Sequence, residues 1–189
     1  MPDTLHPCTD PLLAERVLDD TRQWLERAVI GLNLCPFAKS VVVKKQLRYA
    51  LTLAGDPDQL LAEIENELAL LAASDPQALD TTLLIHPQVL TDFLDYHFFL
   101  GEVDALIDRL GYAGVFQIAS LHPQYEFAGS DPDEIANYTN RSPYPTLHLL
   151  RESSIDRAVA AFPHAESIYQ RNIETMEKLG PEGWKKLWE

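Results

Sequence analysis

Thr81-Thr82-Leu83-Leu84-Ile85-His86-Pro87 and Gly114-Val115-Phe116-Gln117-Ile118-Ala119-Ser120-Leu121-His122-Pro123 decide how the chain reads. Each is a short, β-favouring apolar run that stops at His-Pro, and the first is apolar on both faces, as a strand covered by helices on both sides must be. Between them lies an amphipathic stretch with Phe93, Leu94, Phe98, Val103, Leu106, Ile107 and Leu110 on helical spacing, capped by Thr91 and stopped by Gly111, with Gly101 as a possible break.

Working outward on the N-terminal side, Asp56-Pro57 opens a helix with Leu60, Leu61, Ile64, Leu68 and Leu71 as its buried stripe. Glu63, Glu65 and Glu67 fall largely outside that stripe, and the helix ends at Ser74-Asp75-Pro76. In Val41 to Leu53, Leu47, Tyr49, Leu51 and Leu53 alternate with Arg48, Ala50 and Thr52, which reads as a strand at a sheet edge. Asp10-Pro11 caps a helix running to about Leu32, which ends before Cys35-Pro36.

From Val41 onward the order is therefore β-α-β-α-β. The fold class is α/β: a small, mostly parallel sheet covered by helices, with a helical C-terminal region. An antiparallel edge strand at Val41 to Leu53 would make it α+β instead. On the C-terminal side, Pro123 to Pro145 is a long stretch of turn formers, aromatics and polar residues, the kind of segment that is usually functional or partly helical. Thr146 to Leu150 reads as a short helix, Ser153 and Asp156 as a capping box for a helix through Ala161, and Glu166 to Leu179 as a final helix stopped by Gly180-Pro181.

With 189 residues, one domain over 10–189 behind a flexible tail at 1–9 is the expectation. No apolar run is long enough to span a bilayer, and the first ten residues carry acids and prolines instead of a signal peptide's basic and apolar regions, so a cytoplasmic protein is expected. The sequons at Asn137 and Asn140 then need a reason other than glycosylation. Two cysteines, Cys8 and Cys35, make no disulfide framework. Fifteen basic against 29 acidic residues leave a net charge of -14, a field that repels nucleic acid and anionic lipid. Neither is expected as a partner.

If the two His-Pro strands are parallel neighbours, His86 and His122 share the sheet edge where α/β proteins bind ligands. Two imidazoles there suit acid/base work or a metal, and Cys35 could add a thiolate as nucleophile or third ligand. The cofactor expected on that reading is a divalent transition metal on His86, His122 and Cys35, although no local metal motif supports it. Asn140, Arg141 and Ser142, ahead of a helix start, suit a carboxylate or phosphate, with Arg141 as a bidentate fork and Arg151 in support. His148, Arg151 and Glu152 would share a helical face, with His148 and Glu152 as an acid/base or metal pair. For each of these a structural role is the competing reading: strand caps, a core cysteine, a Pro-braced loop, a solvated charge pair. Dinucleotide, phosphate-loop, nucleophile-elbow and Cys-x-x-Cys patterns are absent from the sequence.

Gly31-Leu32-Asn33-Leu34-Cys35-Pro36-Phe37-Ala38, Leu84-Ile85-His86-Pro87, Asn140-Arg141-Ser142-Pro143-Tyr144-Pro145 and His148-Leu149-Leu150-Arg151-Glu152 resemble the bacterial domain-of-unknown-function family 1415, from about Asp19 to Trp184. The resemblance implies a bacterial cytosolic protein and carries no catalytic assignment. The leading expectation is an enzyme, a hydrolase or transferase, acting on a small anionic metabolite at a His/Cys/Arg site on the C-terminal edge of the sheet. The alternatives are a metal-, haem- or metabolite-binding sensor without catalysis, and an acidic protein-interaction domain.

Overall fold

The opening helical periodicity is realised as α1, Pro11–Trp24, which widens into a π-helical turn at Leu25–Ile30. Such turns appear where a helix must accommodate one extra residue. Here Gly31 follows, at a point where a β-carbon would lie 2.2 Å from the Arg27 carbonyl oxygen, so only glycine fits. The computed structural model describes residues 11–161 and 167–189; the tail at 1–9, Cys8, Asp10 and the start of the last helix at Glu166 lie outside them.

Val41 to Leu53 is not one strand. Ala38–Val43 forms a short helix, α2, Lys45 turns the chain with φ 58°, and only Leu47–Leu51 is extended as β1. α3 follows at Pro57–Ala73, capped by Asp56, whose side chain accepts from the Gln59 amide. Next come β2 at Thr81–Ile85 and α4 at Phe93–Arg109. Asp92 caps α4 in place of Thr91, accepting from the Leu94 and Asp95 amides, and Gly101 leaves the helix unbroken. β3 is Phe116–Leu121, and a 3-10 helix spans Ile135–Asn140. β4, at Thr146–Arg151, runs directly into α5 at Glu152–Ala161. α6 occupies Ile168–Lys186 but is broken at Gly180, where φ 63° and ψ 174° end one helical segment and Pro181 starts the next.

The sheet order is β1-β2-β4-β3. β1 and β2 are parallel, while β4 pairs antiparallel with both β2 and β3. The sheet is therefore mixed, a correction to the mostly parallel expectation, and the antiparallel strand is interior where the alternative put it at an edge. The cause is Thr146 to Arg151. Leu147, Leu149 and Arg151 are buried on one face while His148 and Leu150 are only half-buried on the other, a period of two that makes a strand and not a helix. β2 and β3 remain parallel to each other, split by β4.

Each face has its own packing. Ala50, Leu84, Phe116, Leu147 and Leu149 meet Leu60, Ile64, Leu68 and Leu71 of α3 and Tyr96, Phe99, Val103 and Leu106 of α4 in the main core. Arg48 on that face makes a bidentate pair with Glu67, Nε to Oε2 at 2.9 Å and Nη2 to Oε1 at 3.0 Å. Glu67 is thus buried, against the sequence reading that left it outside the stripe. Leu51 and Ile85 on the other face meet Ala14, Val17 and Leu18 of α1. No helix among the described residues is long and apolar enough to cross a membrane.

Candidate functional site

His86 continues the Thr82-Leu84 phase of β2 and His122 the Phe116-Ile118-Ser120 phase of β3, so both imidazoles fall on the α3/α4 face at one sheet edge. They are not on neighbouring strands. The start of β4 lies between them, and two strand spacings are about 10 Å. Tyr96 of α4 fills the gap: its ring stacks on His86 with centroids 5.8 Å apart and tilts against His122 at 5.1 Å. Its hydroxyl donates to the Thr146 carbonyl at 2.9 Å and accepts from the Leu121 amide at 3.1 Å, tying β4 to β3 where they meet this edge. Burial holds the Tyr96 phenol well above its ordinary pKa.

Both histidines are 0% exposed. His86 Nδ1 donates to the Val89 carbonyl at 3.0 Å, leaving Nε2 buried without a partner. Burial pulls its pKa down to about 4; the Val89 hydrogen bond opposes this and nearby His122 adds to it. His122 uses both nitrogens: Nε2 donates to the Leu90 carbonyl at 3.2 Å, and Nδ1 accepts from the Gln124 amide at 3.0 Å. Its pKa is also lowered, chiefly by burial, with the Leu90 carbonyl and Asp92 opposing. These are neutral interior imidazoles.

Cys35 is half-buried in the turn after the π-helical segment and takes no part in the contacts that join His86 and His122. Among the described residues no group of three His, Cys, Asp or Glu side chains can hold a metal ion, so the expected His86/His122/Cys35 centre is not formed. His148 is on β4, not a helix, and its Nε2 donates to Thr81 Oγ1 at 2.8 Å. Burial lowers its pKa to about 4. Glu152 begins α5, its amide donating to the Val115 carbonyl at 3.0 Å, so the helical His148/Arg151/Glu152 face does not exist.

Arg151 is buried and donates to the carbonyls of Leu71, Ser74 and Leu79, closing the open end of α3 where an anion-binding role had been expected. Asn140 is likewise committed, Nδ2 to the Ser120 carbonyl at 3.4 Å and its own carbonyl to the His122 amide at 3.2 Å. Asn137 organises the preceding loop: Oδ1 accepts from the Phe127 amide and the Ser130 hydroxyl, and Nδ2 donates to the Asp131 carbonyl. That is the structural reason for an asparagine in the first sequon.

Arg141 differs from these. Its Nε donates to the Tyr125 carbonyl at 3.1 Å and one Nη2 hydrogen to the Pro132 carbonyl at 2.7 Å, while the guanidinium lies 4.2 Å from the Tyr138 ring centroid. Nη1 has no partner, and no carboxylate pairs with the residue among those described. It lines a cleft of about 500 Å³ with Tyr138, Ser142, Pro143 and Pro123 from the sheet edge, Asp20 and Trp24 from α1, and Trp184 and Trp188 from the chain after Gly180. All three tryptophans of the protein are in that wall. The Ser142 hydroxyl also faces this region but already donates to the Tyr144 carbonyl at 2.7 Å.

The sequence reading found Arg141 and the sheet edge but missed Asp20, Trp24, Trp184 and Trp188. Trp24 carries the spacing of a core residue, and it is only 3% exposed. Trp184 and Trp188, four residues apart and hence on one helical face, were the available signal. No curated protein and no solved structure matches the chain. A family model described as a protein of unknown function (DUF1415) matches residues 16–186, nearly the whole chain, and the protein belongs to that family.

Proposed function

We propose that the protein is a binding module for a small anionic metabolite, held in the tryptophan-lined cleft with its negative group on Arg141. The observation that carries this is one unpaired guanidinium, in a chain of net charge -14, fixed at the wall of a concave aromatic site. Arg141 is held by two backbone carbonyls and a tyrosine face, which position it without neutralising it. The cleft's volume falls within the range of roughly 300–1,000 Å³ typical of small-molecule sites, and its aromatic walls stand beside the polar side chains of Asp20, Gln23, Arg141 and Ser142.

Binding without turnover is favoured over the enzyme reading by the histidines themselves. An acid/base imidazole must reach solvent or substrate, whereas His86 and His122 are enclosed and His122 has spent both nitrogens on backbone groups. The three tryptophans make the test direct. Benzoate, 3,3-dimethylbutyrate and inorganic phosphate are titrated while intrinsic fluorescence is followed. A saturable change for at least one of them, with a dissociation constant of about 1 mM or tighter, that weakens about tenfold or more in Arg141→Met is the expected result. Identical titrations of native protein and Arg141→Met, or no saturable response to any of the three or to a zwitterionic carboxylate, overturns the proposal.

A further inference from the structure

The wall opposite in chemistry to Arg141 is Asp20. Its Oδ2 accepts the Tyr144 hydroxyl at 2.7 Å, whereas among the described residues Oδ1 has no hydrogen-bond partner and no cation pairs with the residue. Burial, reinforced by Asp20 itself, pushes the Tyr144 phenol up to about 12, so that hydroxyl stays protonated and keeps donating to the carboxylate. A half-buried carboxylate oriented by a tyrosine, with Arg16 nearby but in no ion pair with it among the described residues, is the counterpart of the oriented arginine. A purely anionic ligand would gain from one and be repelled by the other.

The aromatic residues that line the same cleft are arranged for a cation. Trp184 meets Tyr138 at an interplanar angle of 76° and Trp188 at 74°, with centroids 5.3 and 5.4 Å apart. Rings nearly at right angles form adjoining walls of a corner, unlike a stack, which offers only its two outer faces. A corner of π-faces beside a carboxylate attracts a positive group, and because tryptophan faces supply no hydrogen-bond acceptors they favour an alkylated ammonium over a primary one. The same aromatic group already accepts one cation, with Arg141 4.2 Å from the Tyr138 centroid.

We infer that the cleft selects a betaine-type zwitterion, its carboxylate on Arg141 and its alkylated ammonium between Asp20 and the Trp184/Trp188 corner. This rests on the cleft being the ligand site, and it names the ligand class.

Glycine betaine and 3,3-dimethylbutyrate separate the two statements, because they have the same shape and the same carboxylate and differ in a cationic nitrogen against a neutral carbon. Tryptophan fluorescence titrations are run with both probes on the native protein, on Asp20→Asn and on Arg141→Met. Asp20→Asn keeps an acceptor for Tyr144 while removing the charge. The expected result is that native protein binds the betaine about tenfold or more tightly than its neutral isostere, that Asp20→Asn erases most of that preference, and that Arg141→Met weakens both probes. Equal affinities for the two probes in native protein, or a preference that survives in Asp20→Asn, overturns the zwitterion assignment and leaves the anion-binding cleft standing. Failure of both probes to bind native protein, with benzoate or phosphate still binding, also overturns it alone; failure of all four ligands overturns both. Circular dichroism of each variant establishes that it is folded before titration.

Discussion

Lowering the pH from 7 to 5 should destabilise this protein through its interior histidines, and His86 permits the magnitude to be worked out. Its native pKa is about 4 because burial disfavours the imidazolium, against 6.5 for the exposed imidazole of the unfolded chain. As pH falls through 6.5 the unfolded state takes up a proton that the native state refuses. Stability is therefore lost between about pH 6.5 and 4, and the loss levels off below 4, where both forms are protonated. At pH 5 the unfolded imidazole is almost fully charged and the native one about a tenth charged, which is a linkage of about 2 kcal/mol relative to pH 7. The assay is urea unfolding followed by tryptophan emission at both pH values, on native protein and on His86→Asn, whose amide nitrogen can replace Nδ1 as donor to the Val89 carbonyl. The variant loses the stacking on Tyr96 and is weaker at every pH, but that cost does not depend on protonation. Every carboxylate is common to both proteins, so relief of the acidic chain's self-repulsion cancels in the comparison. The native protein should lose about 2 kcal/mol more than the variant between pH 7 and 5. Equal losses would refute the claim that His86 is neutral and buried in the native state.

His148 carries the same sign, since burial lowers its pKa to about 4, but it is only half-buried, so His148→Gln, which keeps a donor for Thr81, should remove a smaller share of the acid sensitivity in the same assay. Tyr96→Phe strands the Thr146 carbonyl and the Leu121 amide at a point 0% exposed, and a loss of about 1.5–3 kcal/mol in urea unfolding is expected; a change below about 0.5 would mean the hydroxyl does not tie β4 to β3. Arg48→Met should cost about 3–5 kcal/mol by leaving Glu67 charged and buried, with much of it recovered in Arg48→Met/Glu67→Leu; a double variant as unstable as the sum of both singles would contradict the pairing. Gly31→Ala drives a β-carbon against the Arg27 carbonyl, and thermal unfolding should fall by several degrees, equivalent to about 1–3 kcal/mol; an unchanged midpoint would show that the π-helical turn can relax.

How far the sequence could be read follows from which elements declare their period. α3 and α4 span enough turns for their apolar spacing to be unambiguous, and Asp56-Pro57 marks a start that the cap confirms. β2 and β3 were legible because their runs are bounded by turn formers and His-Pro. β4 was not, since Thr146 to Leu150 is too short to separate a period of two from one of 3.6, and it passes into α5 without a break in charge or composition. That one misreading changed the sheet order, because the strand that splits β2 from β3 is the one taken for a helix. Arg141 was legible as a cation in an acidic chain. The cleft was not, because it joins residues from α1 and from beyond Gly180, and the spacing of Trp184 and Trp188 puts them on one face without saying what that face meets.

On the binding reading proposed above, the His-Pro strand ends keep a role in the site, one of support instead of acid/base chemistry. His86 donates its amide to the Pro145 carbonyl at 3.0 Å, and His122 donates its amide to the Asn140 carbonyl at 3.2 Å. These bonds hold the two ends of the segment 140–145, the segment that carries Arg141, Ser142 and Pro143 into the cleft. Each histidine then fixes its own position with its ring, through Val89 for one and through Leu90 and Gln124 for the other, and Tyr96 packs between the rings. An arginine that is to meet a ligand in one geometry needs a rigid support. Neutral, buried imidazoles supply that support without adding charge beside the Arg141 guanidinium they help to position.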